Sequence, residues 1–159
     1  MTKQKIGLLF VAILVCFVAA AIGSIFTTPA IPVWYASLIK PSFSPPNWLF
    51  GPVWSTLYLL MGIALYLVWR LGWDQKKVRL AVIVFLVHLV INALWSVLFF
   101  GLHSPLLGLI GISILWLMII WLIWRFWSLQ RTAAYLLIPY LFWVSFASVL
   151  NFSIWWLNS

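Results

Sequence analysis

An all-α membrane protein, a bundle of five transmembrane helices, is the fold that three observations predict. Hydrophobic residues make up 67% of the 159-residue chain and charged residues 6%, whereas a soluble domain carries roughly a quarter charged residues. Five apolar runs recur, each long enough to cross ~30 Å of hydrocarbon at about 1.5 Å per residue. Eight of the nine Lys and Arg residues fall at connections that would share one side of such a bundle. The spans consume about 110 residues, so residues 1–159 are expected to form a single membrane domain with no room for a soluble one.

The first run, residues 6–26, follows Lys3 and Lys5 but exceeds the apolar core of a secretory signal. Its end, Phe26-Thr27-Thr28-Pro29, lacks a small-residue cleavage site, so it is expected to be a retained helix. Cys16 is the only cysteine, which excludes an intramolecular disulfide and a thiolate metal cluster. Residues 27–45 are expected as a loop that lids a pocket. Within KPSFSPPNWLFGPVWSTLY, Lys40 to Tyr58, Pro41, Pro45 and Pro46 remove amide donors and bias the backbone toward extended geometry. Ser44 is a candidate cap for the second span, 46–69. Pro52 invites a kink before Trp54, which shares a face with Tyr58 at i, i+4.

The third span, 79–99, carries His88, Asn92, Trp95 and Phe99 on one stripe. The fourth, 105–124, has Gly108 and Gly111 on one face, and the first has Ala19 and Gly23; such small pairs serve contacts within a monomer as readily as a homodimer. The fifth, 133–157, places Tyr140, Trp143, Ala147 and Asn151 near one face, with Pro139 freeing the carbonyl of Tyr135.

Lys3, Lys5, Arg70, Lys76, Lys77, Arg79, Arg125 and Arg131 share one side and Lys40 alone the other. The positive-inside rule then puts the N-terminus inside and the proline-rich loop outside. Charge placed by topology argues for anionic lipid headgroups, not nucleic acid, as the partner of the basic side. The one acidic residue, Asp74, lies in a connection, so no intramembrane carboxylate can serve acid/base chemistry or a di-metal site. His88 and His103 form no zinc motif, and no phosphate-cradling glycine loop occurs. No cofactor is required and no metal site is expected.

Polar residues inside spans need a partner or a task. His88 and Asn92 can serve packing by hydrogen-bonding neighbouring helices, as can Tyr140 and Asn151. Depth suggests more: counting from one membrane face, Trp54, Asn92, Trp95 and Trp143 all fall in the outer half, beneath the loop. Tryptophans with a few amide and hydroxyl groups suit a flat, largely apolar ligand or a sterol. Of the 13 tryptophans, Trp34, Trp48, Trp69, Trp73, Trp124, Trp127, Trp155 and Trp156 lie near span ends, where indoles anchor at headgroup level. Trp116 and Trp121 are interior, with no signal for which way they face.

Trp34-Tyr35, Lys40-Pro41-Ser42-Phe43, Pro45-Pro46, Gly51-Pro52-Val53-Trp54, Leu57-Tyr58, Asn92, Trp95, Phe99-Phe100-Gly101, Leu136 to Tyr140, Trp143, Phe146-Ala147 and Leu150-Asn151 together resemble the TspO/translocator protein (TspO/MBR) family, also called peripheral benzodiazepine receptors. The order and spacing cover nearly the whole chain and look like a bacterial-type member. The resemblance implies a five-helix bundle, often a homodimer, with a cavity capped by the first loop that takes porphyrins such as protoporphyrin IX, sterols and isoquinoline carboxamides. By position, Trp54 and Trp143 match paired pocket tryptophans, Asn92 a polar contact, Trp34 and Tyr35 the segment over the cavity, and Ala147 a small residue near the ligand. Phe43 stands where many relatives have Trp. The C-terminal sterol pattern is broken, because Asn151-Phe152-Ser153-Ile154 lacks its tyrosine and basic residue.

The ligand-binding set is therefore expected to be Trp34, Tyr35, Lys40, Trp54, Tyr58, His88, Asn92, Trp95, Tyr140, Trp143 and Ala147, with Lys40 near a propionate. What the resemblance implies first is a porphyrin-binding protein of tetrapyrrole sensing or homeostasis and stress response in a bacterial cell membrane. The alternative is an enzyme of light- and oxygen-dependent porphyrin degradation, with Trp54 and Trp143 as the catalytic residues. A second alternative is transport of tetrapyrroles or sterols, for which no inverted repeat speaks.

Overall fold

The computed structural model describes the backbone of residues 3–159 and the side chains of residues 5–159. Five helices are present among them: α1 (Lys3–Ala30), α2 (Phe50–Trp69), α3 (Lys76–Ser96), α4 (Pro105–Leu129) and α5 (Arg131–Leu157). With their extensions they are long and apolar enough to cross a membrane, over Lys5–Tyr35, Asn47–Trp69, Lys76–Gly101, Pro105–Leu129 and Arg131–Leu157. The side chain of Lys3, counted with the basic side, lies outside the described residues.

Four local expectations are corrected. The loop expected over 27–45 is far shorter, because α1 runs on through a π-helical turn, Ile31–Tyr35. Pro29 and Pro32 free the carbonyls of Ile25 and Thr28, and the wider turn absorbs the missing bonds without ending the helix, as apolar surroundings demand. Gly51-Pro52 does not kink the middle of a helix. A short 3₁₀ turn, Asn47–Leu49, precedes α2, so Pro52 lies in the first turn of α2, where an amide would have no helical partner anyway. Ser44 does not cap; Pro46 holds the cap position, and the Ser44 amide instead closes a turn onto the Pro41 carbonyl at 3.0 Å. The fourth helix also runs past residue 124 to Leu129: Arg125 extends the helix because a long basic side chain can lie along it and reach the headgroups.

The helices pack as a closed ring in the order α1, α2, α5, α4, α3, with α3 returning to α1. Near the end that carries Arg70 to Arg79, here the basic end, the ring is solid. Phe85 stacks on Phe126 at 5.9 Å, and Met61, Leu65, Ile119 and Leu122 are fully buried around them. Trp116, whose facing the sequence left open, turns to α5 and donates to Ser145 at 2.8 Å. Glycines set the close approaches. A Cβ on Gly62 would lie 2.7 Å from the Ile13 Cα, so α1 and α2 touch there backbone to side. Gly23 meets Ser96, Gly108 meets Phe99, and Gly111 meets Leu98; the small residues of both α1 and α4 are spent on contacts within the chain. Toward the other end, the loop end, α1 and α2 part.

Candidate functional site

A cavity of about 580 Å³ opens at the loop end among α1, α2, α3 and α5, inside the usual ligand-pocket range of roughly 300–1,000 Å³. From α2 come Trp54 and Tyr58, from α3 Asn92 and Trp95, and from α5 Ala147, Leu150, Asn151 and Ile154. The i, i+4 spacing of Trp54 and Tyr58, and the i, i+3 spacing of Asn92 and Trp95, put each pair on one face. The indoles of Trp54 and Trp95 face each other at 6.4 Å and 28°, forming an aromatic wall. Trp95 continues into Phe99, stacked at 5.6 Å and 21°. Among the described residues that line the cavity none is charged.

The polar groups are connected. The Tyr58 hydroxyl donates to the Asn92 Oδ1 atom, and the Asn92 Nδ2 atom donates to the Tyr140 hydroxyl at 2.8 Å. That hydroxyl lies 2.9 Å from the His88 Nε2 atom. His88, Asn92 and Tyr140 are 0%, 2% and 0% exposed, so these bonds serve groups that water cannot reach. A second connection runs from the Trp95 indole N–H to the Asn151 Oδ1 atom at 3.3 Å, and from the Asn151 amide to the Pro105 carbonyl at 2.8 Å.

Residues 38–46 form the irregular part of the loop at this end of the bundle, and none of them is among the residues that line the cavity. Its fastening comes from beyond α5. Asn158 grips Ile39 at both backbone groups, accepting from its N–H at 3.0 Å and donating to its carbonyl at 2.9 Å. The side of the cavity is less covered. Phe17, Ala21, Ser24 and Thr28 of α1 face Trp48 of the 3₁₀ turn and Gly51 and Ser55 of α2, and all seven are both lining and exposed. Elsewhere α1 turns Phe10, Leu14, Val18, Ile22 and Ile25 outward; opposite α2 it offers an alanine and two hydroxyls instead, and a lateral gap results.

Of the residues expected to bind, Tyr35, Trp54, Tyr58, Asn92, Trp95 and Ala147 line the cavity. Five do not. His88 and Tyr140 lie behind Asn92. Trp143 packs between Phe50 at 5.8 Å and Phe146 at 5.6 Å, and it is Trp95 that stands beside Trp54 in the cavity wall. Trp34 stacks on His103 at 4.8 Å and meets Phe99 edge-on at 5.3 Å. The Lys40 ammonium donates to the carbonyls of Ala36 at 3.3 Å and Leu38 at 3.1 Å, over the Tyr35 ring, where it caps the end of the extended α1. Sequence reasoning missed the contribution of α1 and of Trp48, which it assigned to headgroup anchoring. The signal was there for α1: Ser24, Thr27 and Thr28 are hydroxyls in an apolar run, but each can satisfy itself on the preceding turn, as Ser24 and Thr27 do.

Residues 12–157 match the TspO/MBR family. The chain is 44% identical over 156 residues to the tryptophan-rich protein TspO of Chlorobaculum tepidum, covering 98% of this chain and 99% of that one. To the tryptophan-rich sensory protein of Cereibacter sphaeroides it is 34% identical over 142 residues, 87% of each chain. To the human translocator protein it is 37% identical over 123 residues, 77% of this chain and 73% of the relative.

Proposed function

The chain belongs to the TspO/MBR family of multi-pass integral membrane proteins, and from that premise we propose that its cavity binds flat, largely apolar ligands of the porphyrin class, in tetrapyrrole sensing or homeostasis. The observation that carries this reading is the wall of Trp54 and Trp95 above the hydroxyl and amide of Tyr58 and Asn92, in an uncharged space of about 580 Å³. Offset aromatic surfaces favour a conjugated ring lying against them. With no cation in the lining, the carboxylates of a porphyrin stay at the loop, where water and headgroups solvate them. The word sensory in the name of the Cereibacter sphaeroides relative is consistent with a binding role. In the same reading the basic end faces inward in a bacterial membrane, with Arg70, Lys76, Lys77 and Arg79 against anionic headgroups.

Titration of protoporphyrin IX into the protein in nanodiscs, read by quenching of tryptophan emission, tests this. Loss of both aromatic faces in Trp54→Phe plus Trp95→Phe is expected to weaken binding about tenfold or more, and Trp143→Phe to change it by less than about threefold. Undiminished affinity in the double variant would move the ligand out of this cavity.

One feature favours the degradative alternative. Trp54 lies within 6.4 Å, centroid to centroid, of three oxidisable rings, Tyr58, Trp95 and Tyr140, so a radical formed beside a photoexcited porphyrin has neighbours to spread to. Illumination of the complex in air separates the two readings. Degradation requires faster loss of porphyrin absorption in the complex than in free porphyrin, and a return to the free rate in Trp54→Phe.

A further inference from the structure

His88 is a buried titratable group that touches no ligand space, and the hydrogen bonds around it have a direction. A phenol has one proton to give. The Tyr140 oxygen accepts from the Asn92 amide at 2.8 Å; the arrangement that pairs its own proton with this amide orientation sends that proton to the His88 Nε2 atom at 2.9 Å, with Nε2 bare and the imidazole proton on Nδ1. Upstream, Tyr58 spends its proton on the Asn92 Oδ1 atom. Protons thus run from Tyr58 through Asn92 and Tyr140 to His88, and the Tyr58 oxygen is left as an acceptor on the cavity side.

The chain has a second solution with the same heavy atoms in place. With the proton on Nε2, His88 donates to Tyr140, Tyr140 donates to the oxygen of a flipped Asn92 amide, that amide donates to Tyr58, and Tyr58 turns its proton to the cavity. Both states hold one proton on the imidazole and one on each phenol, so no charge is created within the membrane, where charge is costly. Nδ1 makes no hydrogen bond among the described residues, so the first state leaves its proton an unpaired buried donor at a cost of about 1–3 kcal/mol, eased by the Phe85 backbone beside it, whereas the second leaves a bare lone pair there. Breaking the chain elsewhere leaves a buried donor unpaired, at a cost of about 1–3 kcal/mol.

We propose that His88 is a positioning residue that sets the hydrogen-bond polarity of the cavity floor, so that one floor, by reversing the chain behind it, meets either a donor or an acceptor on an uncharged heteroaromatic ligand. The inference rests on the reading of this cavity as a ligand site. A side chain that cannot accept, such as leucine at position 88, leaves the Tyr140 proton only Asn92 to go to. The floor is then fixed as a donor.

The test uses two tricyclic probes of similar shape, carbazole, which offers only a ring N–H, and acridine in its neutral form, which offers only a ring nitrogen lone pair. In nanodiscs the wild type is expected to bind both, each with measurable affinity. His88→Leu is expected to shift the affinity ratio about tenfold toward acridine, and His88→Gln, whose amide can present either end, to restore the wild-type ratio. Equal weakening of both probes by His88→Leu, as a purely structural role gives, would overturn the proposal. Should that variant fail to fold, 15N spectra of histidine-labelled wild type decide: the proton of His88 is expected on Nδ1 with carbazole and on Nε2 with acridine, with His103 as the internal reference. One tautomer with both probes overturns it. If neither probe binds the wild type while protoporphyrin does, the reversible floor is refuted and the porphyrin site stands; if nothing binds, both fall.

Discussion

At Gly62 a hydrogen in place of a methyl decides how near α1 comes to α2. A Cβ there would meet the Ile13 Cα at 2.7 Å, a backbone atom that no rotamer change can move aside, whereas a Cβ on Gly7 meets nothing within 4 Å. Gly62→Ala is therefore expected to destabilise by about 1–3 kcal/mol through forced separation of the two helices, and Gly7→Ala to leave the thermal midpoint in detergent unchanged or slightly raised. The same scale explains which site residues could be read from the chain. Asn92, His88 and Tyr58 stood out because a polar group in an apolar run needs a partner, and they are bonded into one chain. Yet spacing fixes only which residues share a face, not where that face points, and one residue along a helix is about 100° of rotation. Asn92 and Trp95 turned to the cavity while His88, on the same stripe, fell behind it. Trp143 and Trp34 fall outside the lining for a further reason: an indole ring packs as readily between Phe50 and Phe146, or on His103, as against a ligand, although the Trp143 Nε1 donor finds no partner among the described residues.

Among the elements, α1 departs most from its expected form. Threonines followed by proline read as the end of a helix, a rule drawn from chains whose freed carbonyls can turn to water. In an apolar medium the cheaper course is to keep the remaining ladder and widen it, and α1 does so through Ile31–Tyr35. Its last turns thereby reach over the cavity, and the side it shows to α2 becomes a rim of Ala21, Ser24 and Thr28. A bulky side chain in that rim should fill the gap. Ser55→Trp is expected to weaken protoporphyrin binding about tenfold by occupying volume a ligand needs, with Val90→Trp, on a lipid-facing surface where residue 90 is 66% exposed, as the control that leaves binding intact. Equal behaviour of the two variants would mean that the gap takes no part in holding the ligand.

For the whole molecule, five spans were legible from composition and run length, since both report directly on the solvent. The cyclic order was not, because hydropathy reports on the solvent and not on the neighbour, and close contacts such as Gly62 to Ile13 or Gly108 to Phe99 help choose which helices meet. Nor was the bond from Asn158 to Ile39 legible, as one asparagine near a helix end carries no sign of a partner 119 positions away. Asn158→Ala is expected to raise the rate of protoporphyrin release several-fold, measured by stopped-flow transfer to an apolar acceptor, with little change in thermal midpoint. An unchanged release rate would show that the loop does not limit exit. The same bond bears on how the protein is made. Ile39 leaves the ribosome early, and the residue that fastens it follows 119 positions later, which at roughly 5–20 residues per second is a delay on the order of ten seconds. During that interval four helices can enter the membrane while the segment that links α1 to α2 is still untied, so its tie to the residue after α5 can form only once those helices are in place.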